Sequence, residues 1–132
     1  MKPEDLIHSY YENFNRGDLN KFIELLSDDV IHDINQGGRQ TGKHEFLKFM
    51  QHMQHCYQEQ IKDITVMVSK NGKRAAAEFT VHGTYLANDA GLPPAHKQTY
   101  SLPCGAFFEI DSGKITRVTN YYNLQDWLQQ VK

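Results

Sequence analysis

Asp33 is the residue whose surroundings most invite chemistry. It lies in Val30-Ile31-His32-Asp33-Ile34-Asn35-Gln36-Gly37-Gly38, a β-branched run that ends in a glycine turn. Successive strand residues point to opposite faces, so His32 and Asp33 cannot share one. A carboxylate flanked by Ile31 and Ile34 is costly to bury unless it is paired or used. Asp33 is expected to point into an apolar pocket and to act there as a base. Removing a proton beside a carbonyl needs such a base within hydrogen-bond reach, and a donor for the oxygen on which charge develops. His32, on the other face, is read first as a structural histidine packed on a neighbouring helix, and second as an aid at the strand end.

The pocket needs walls. Pro3 suits the first turn of a helix, and Leu6, Ile7, Tyr10 and Phe14 recur along one stripe of it. Gly17 fits a left-handed cap and Asp18 the N-cap of a short second helix with Phe22, Leu25 and Leu26 inward. Gly37-Gly38 and Thr41-Gly42 are turn chemistry. A third helix is predicted over 43–57, with Phe46, Phe49, Met50, Met53 and Tyr57 in one sector. The remainder reads as strands. Ile64, Val66 and Val68 alternate in the first, and Asn71-Gly72 signals a hairpin. Ala75, Ala77, Phe79, Val81, Gly83 and Tyr85 share a face of the next. Residues 88–94 form a connector expected at the pocket mouth. A strand over 96–110 is expected to carry a bulge or kink at Pro103-Cys104-Gly105, and the last strand spans 114–122. A final helix runs from Leu124 to Val131. The pattern predicts an α+β domain over residues 1–132, in which a strongly curved antiparallel sheet wraps the N-terminal helices and leaves a conical cavity.

Composition narrows the function. The net charge of −2, with a pI near 6.4, gives no basic footprint for nucleic acid or an anionic membrane. No apolar stretch approaches the ~18 residues of a membrane span. Met1-Lys2-Pro3-Glu4-Asp5 lacks the apolar core of a signal peptide. Cys56 and Cys104 show neither disulfide nor metal spacing, so a reduced, cytoplasmic setting is expected. His44, His52 and His55 fall on the outward side of the third helix, so no metal site is expected from them. Cys104 reads as a buried, inert thiol. No cofactor-binding glycine motif appears.

Tyr10…Asn15-Arg16-Gly17-Asp18-Leu19, Leu26-Ser27-Asp28-Asp29-Val30, Asp33 and Thr41-Gly42 resemble the N-terminal half of ketosteroid isomerase. Gly91-Leu92-Pro93-Pro94, Phe107-Phe108-Glu109-Ile110 and Gly113-Lys114-Ile115 resemble SnoaL-like polyketide cyclases. The whole chain is similar to the nuclear-transport-factor-2-like superfamily, which hosts several reactions on one fold. The resemblance puts Asp33 at the isomerase's proton-shuttling carboxylate and Tyr10 at its oxyanion-hole tyrosine. The second oxyanion-hole acid has no match; its place falls on Ala106 or Gly105. Asn120, sharing a strand face with Val118 and Tyr122, is a candidate replacement donor. The resemblance also implies a pocket lined by Phe14, His32, Asn35, Phe49 and Met53 from the first half. Phe79, Val81, Ala106, Phe108, Val118 and Tyr122 line it from the second. The plain alternatives are a core tyrosine at 10 and a satisfied turn aspartate at 33.

The expected function is cofactor-independent proton transfer on a hydrophobic carbonyl compound, by isomerisation or aldol-type cyclisation. The alternatives are a non-catalytic ligand-binding or dimerisation module, and a hydratase or epoxide hydrolase. A closed cone favours the module, and an open cavity of several hundred cubic ångströms favours an enzyme. Tyr121, Phe107 and Ile115 are placed on the outer sheet face, where they suggest a homodimer.

Overall fold

Ten elements follow one another in the computed structural model, which describes residues 1–132. They are α1 (Pro3–Arg16), α2 (Leu19–Glu24), β1 (Leu26–Asp33), β2 (Arg39–Thr41), α3 (Lys43–Cys56), β3 (Tyr57–Val68), β4 (Arg74–Tyr85), β5 (Thr99–Asp111), β6 (Lys114–Tyr122) and α4 (Leu124–Gln130). The helix punctuation acts as its chemistry dictates. Pro3 opens α1 and Gly17 closes it in the left-handed conformation. The Asp18 carboxylate caps α2 by accepting the Lys21 N–H at 3.1 Å.

The strands form one curved, open sheet in the order β2-β1-β6-β5-β4-β3. It is mixed, not purely antiparallel, because β1 runs parallel to β6. The Asn71-Gly72 hairpin forms as its sequence signals, with Gly72 at positive φ. The strand expected to begin at residue 96 begins at Thr99, and no register shift against β4 marks the bulge or kink expected at Pro103-Cys104-Gly105. Arg74↔Glu109 to Thr84↔Thr99 pair without a register shift. Pro103 lies one residue past the last β5–β6 pair, Cys104↔Tyr122, so no ladder bond to β6 is forfeited there.

The curvature comes from other places. The β3–β4 register shifts between Lys62 and Thr65, where Asp63 adopts a positive φ. The β5–β6 register shifts between Glu109 and Ile110, which adds Thr116 to β6. That extra residue changes the parity of β6, so Ile115 is fully buried instead of lying on the outer face. α1, α2 and α3 fill part of the concave side, where Ile7, Phe22, Phe46 and Phe108 are almost wholly buried. The Tyr10 ring packs edge-on to Tyr11 and to Phe108, the arrangement that the aromatic quadrupole favours.

Candidate active-site cavity

The concave face is not completely filled. A cavity of about 510 Å³ remains between α1, α3, the 86–98 connection and the sheet, and most of its wall is apolar. Tyr10, Phe14, His32, Asn35, Phe49, Met53, Phe79, Val81, Asn120 and Tyr122 all line it. Ala106, Phe108 and Val118 do not. They are fully buried below the cavity floor, where the Phe108 ring packs against Tyr10 and Tyr11.

Asp33 is not on the wall either. Its neighbour His32 takes the inward position of β1, so Asp33 faces the convex side of the sheet. There Arg39 grips it with two bonds, Nε–Oδ1 at 2.6 Å and Nη2–Oδ2 at 3.1 Å. Thr119, opposite it on β6, donates to Oδ2 at 2.6 Å. The Arg39 guanidinium, aided by Thr119 against the opposing effect of partial burial, holds the carboxyl down to about 2. A carboxylate fixed by an arginine outside the cavity cannot take a proton from a guest inside it. The expectation that Asp33 points into the pocket is therefore overturned.

His32 is 2% exposed and stacks on Phe46, with centroids 4.0 Å apart. Burial pushes its pKa down to about 4, so the ring is neutral at neutral pH, and its Nδ1 has no hydrogen-bond partner.

Two carboxyls do line the cavity, Asp89 on the 86–98 connection and Glu59 on β3. Residues Tyr57, Glu59 and Ile61 of β3 alternate inward and all line the wall. Burial pushes the Glu59 carboxyl above the usual range, although the Tyr100 hydroxyl opposes this by donating to Oε2 at 2.6 Å. One glycine makes that bond possible. Glu59, Gly83 and Tyr100 sit side by side across β3, β4 and β5, and a Cβ on Gly83 would collide with Cζ, Cε2 and the hydroxyl oxygen of Tyr100. The phenol therefore crosses β4 over a bare backbone to reach the carboxyl.

Other polar groups converge on the same space. The Tyr11 hydroxyl is buried and has no partner. Such an arrangement costs on the order of 1–3 kcal/mol until a ligand satisfies it. Burial raises the pKa values of Tyr10 and Tyr11, keeping both phenols protonated as donors. The Cys104 thiol is pushed up to about 12 by burial and then by Glu59, which makes it inert as a nucleophile. Asn35 lies at the open end and donates to the Tyr122 carbonyl at 3.3 Å. The 86–98 connection closes part of the mouth with Asp89, Ala90 and Leu92. It is tied down by the Tyr85 hydroxyl, which donates to the Pro93 carbonyl at 2.7 Å.

Glu59, Tyr11 and Asp89 are not candidates from sequence. The signal for Glu59 is the alternation Tyr57, Glu59, Ile61, but the strand's apolar parity is set by Ile64, Val66 and Val68, beyond the irregularity at Asp63. Tyr57 itself reads as the end of α3 and is instead the first residue of β3.

Residues 7–118 match the model of the SnoaL-like domain family. A crystal structure from Pseudomonas putida KT2440, provisionally named a polyketide cyclase, is 61% identical over 100% of this chain and 99% of its own, with a TM-score of 0.99. A second protein with that provisional name, from Xanthomonas campestris pv. campestris, is 51% identical over 98% of this chain and 96% of its own, with a TM-score of 0.96. A provisional ketosteroid isomerase from Kribbella flavida is 23% identical over 92% of this chain and 77% of its own, with a TM-score of 0.65, and shares the fold. No protein of curated function matches the chain.

Proposed function

The chain belongs to the SnoaL-like domain family, and on that footing we propose that it is a small-molecule enzyme that moves a proton on a hydrophobic carbonyl compound, with Glu59 as the base. The observation that carries this reading is one carboxyl, raised by burial and oriented by Tyr100, in an apolar cavity of about 510 Å³. The reaction needs no bound cofactor. The guest enters past Asn35 and Leu92. Glu59 takes the proton α to the carbonyl, and the C–H electron pair becomes the enolate. The charge on oxygen is met by the partnerless Tyr11 hydroxyl, with Tyr10 and the Asn120 amide as further donors. Protonated Glu59 then returns the proton at another carbon in an isomerisation. In a cyclisation, the enolate carbon attacks a second carbonyl of the same molecule, the C=O π pair moves onto that oxygen, and protonated Glu59 gives it the proton, which restores the base. The provisional names of the P. putida and X. campestris relatives support the second outcome.

A raised carboxyl suits the task, because general bases work best when their pKa approaches the working pH. The cavity also favours an enzyme over a filled dimerisation module. We further propose a homodimer built on the convex face, where the Phe107 and Tyr121 rings are exposed and meet edge to face. The proposed location is the cytoplasm, where the free thiols of Cys56 and Cys104 stay reduced.

The test uses 2-tetralone, an enolisable two-ring ketone, in D2O. Wild type is expected to accelerate deuterium uptake at the α carbons. Glu59→Gln is expected to lower that acceleration by about 10²–10⁴. An unchanged rate in Glu59→Gln removes Glu59 as the base, and no acceleration by wild type for any enolisable ketone of this size removes the proposed reaction.

A further inference from the structure

We propose that His52, Cys56 and Asp89 bind one divalent transition-metal ion of the zinc class, which clamps the mouth of the cavity to α3. This goes beyond the proton transfer proposed above and uses none of its groups.

His52 and Cys56 are one turn apart on α3, so both project from one side of its last turn. Asp89 comes from the 86–98 connection. His52 Nε2 is 2.9 Å from Asp89 Oδ1 and 3.8 Å from Cys56 Sγ. All three ligand atoms lie within 4.8 Å of one another. A tetrahedral zinc ion, with bonds of about 2.0–2.3 Å, holds its ligand atoms about 3.3–3.7 Å apart. Small side-chain movements therefore make room for an ion.

The trio is supported as metal ligands usually are, by neighbours that fix their orientation. Tyr57 donates to Asp89 Oδ2 at 2.7 Å, leaving Oδ1 for the ion. The Asp89 N–H donates to the Tyr85 hydroxyl at 3.0 Å, which anchors the loop below it. Cys56 is fully buried while His52 is exposed, so an ion has a route in from solvent and a fourth position open to water. One sulfur, one imidazole nitrogen and one carboxylate oxygen suit zinc far better than magnesium or calcium. On binding, the Cys56 thiol proton leaves to solvent and the thiolate bonds the metal. The bland reading is a surface His52–Asp89 pair beside an ordinary buried cysteine, which takes up no metal.

The experiment titrates the full chain, first stripped with a chelator, with Co²⁺ as a spectroscopic probe and then with Zn²⁺. One Co²⁺ per chain should bind, give a thiolate-to-cobalt charge-transfer absorption, and be displaced by Zn²⁺. Cys56→Ser should abolish that absorption. His52→Ala, at an exposed position, should keep the fold and weaken binding by about tenfold or more. His55→Ala, exposed on the same helix, should leave binding unchanged. The proposal is overturned if no charge-transfer absorption appears, if it survives Cys56→Ser, or if His52→Ala binds as tightly as wild type.

Discussion

Asp33 and Glu59 are both carboxylates beside β-branched or aromatic neighbours, and their environments drive them in opposite directions. Arg39 and Thr119 stabilise the charged form of Asp33, and burial destabilises that of Glu59. The two are separable by experiment. Asp33→Asn should leave ketone exchange near the wild-type rate. It should remove a contribution to stability that is present above the ordinary aspartate pKa of 3.8 and is lost as the pH falls towards about 2. Acid-unfolding curves of the two proteins check this, and exchange lost in Asp33→Asn would contradict it. His32 has the same sign. Its folded pKa of about 4 lies below the ordinary 6.5, so the neutral ring stabilises the fold above 6.5 and that stability is lost as the pH falls towards 4. The full contribution is on the order of 3 kcal/mol. Circular dichroism should show resistance to urea falling over that window, with the fall reduced in His32→Gln. The sequence shows why Asp33 draws attention, since its flanks are apolar. It does not show which of Val30 and Ile31 is inward, and that choice alone decides whether His32 or Asp33 enters the cavity.

At the scale of elements, most of the secondary structure is legible because helix stripes and turn residues are local. The Leu6–Ile7–Tyr10 stripe, the Gly17 cap and the Asn71-Gly72 hairpin all depend on neighbours in sequence. Strand faces are less secure. One extra residue at Asp63 or at Thr116 reverses every assignment beyond it, which is how sequence reasoning misses Glu59 and misplaces Ile115. Gly83 shows the same dependence on partners. In sequence it is one small residue in an alternating strand, and only the β3–β4–β5 register reveals the Tyr100 ring above it. Gly83→Ala should displace that ring, cost on the order of 1–3 kcal/mol in thermal stability, and release Glu59 from its hydrogen bond. Exchange activity should fall by more than in a Tyr11→Phe variant of equal stability. Equal activity in Gly83→Ala and wild type would mean that Tyr100 does not position the carboxyl.

On the scale of the whole molecule, the fold is legible through resemblance more than through pattern. Scattered motifs from Tyr10 to Ile115 point to one superfamily, and the relatives at 61% and 51% identity carry the same architecture. What the motifs do not fix is the cavity, because its volume depends on how far the sheet curls and on which rings turn inward. The exposed Phe107–Tyr121 pair belongs to this scale too. Tyr121→Lys should turn a dimer into a monomer in analytical ultracentrifugation, and a wild-type monomer at micromolar concentration would end that proposal. The claim on which the account rests is that Glu59, not Asp33, is the carboxyl that meets a guest. ¹³C NMR titration of the side-chain carboxyls, with and without 2-tetralone, tests it most directly. Glu59 should titrate above the ordinary glutamate value and shift when the ketone binds, while Asp33 stays near 2 and does not respond. An Asp33 signal that moves with the ketone, beside a Glu59 signal that does not, would contradict the account.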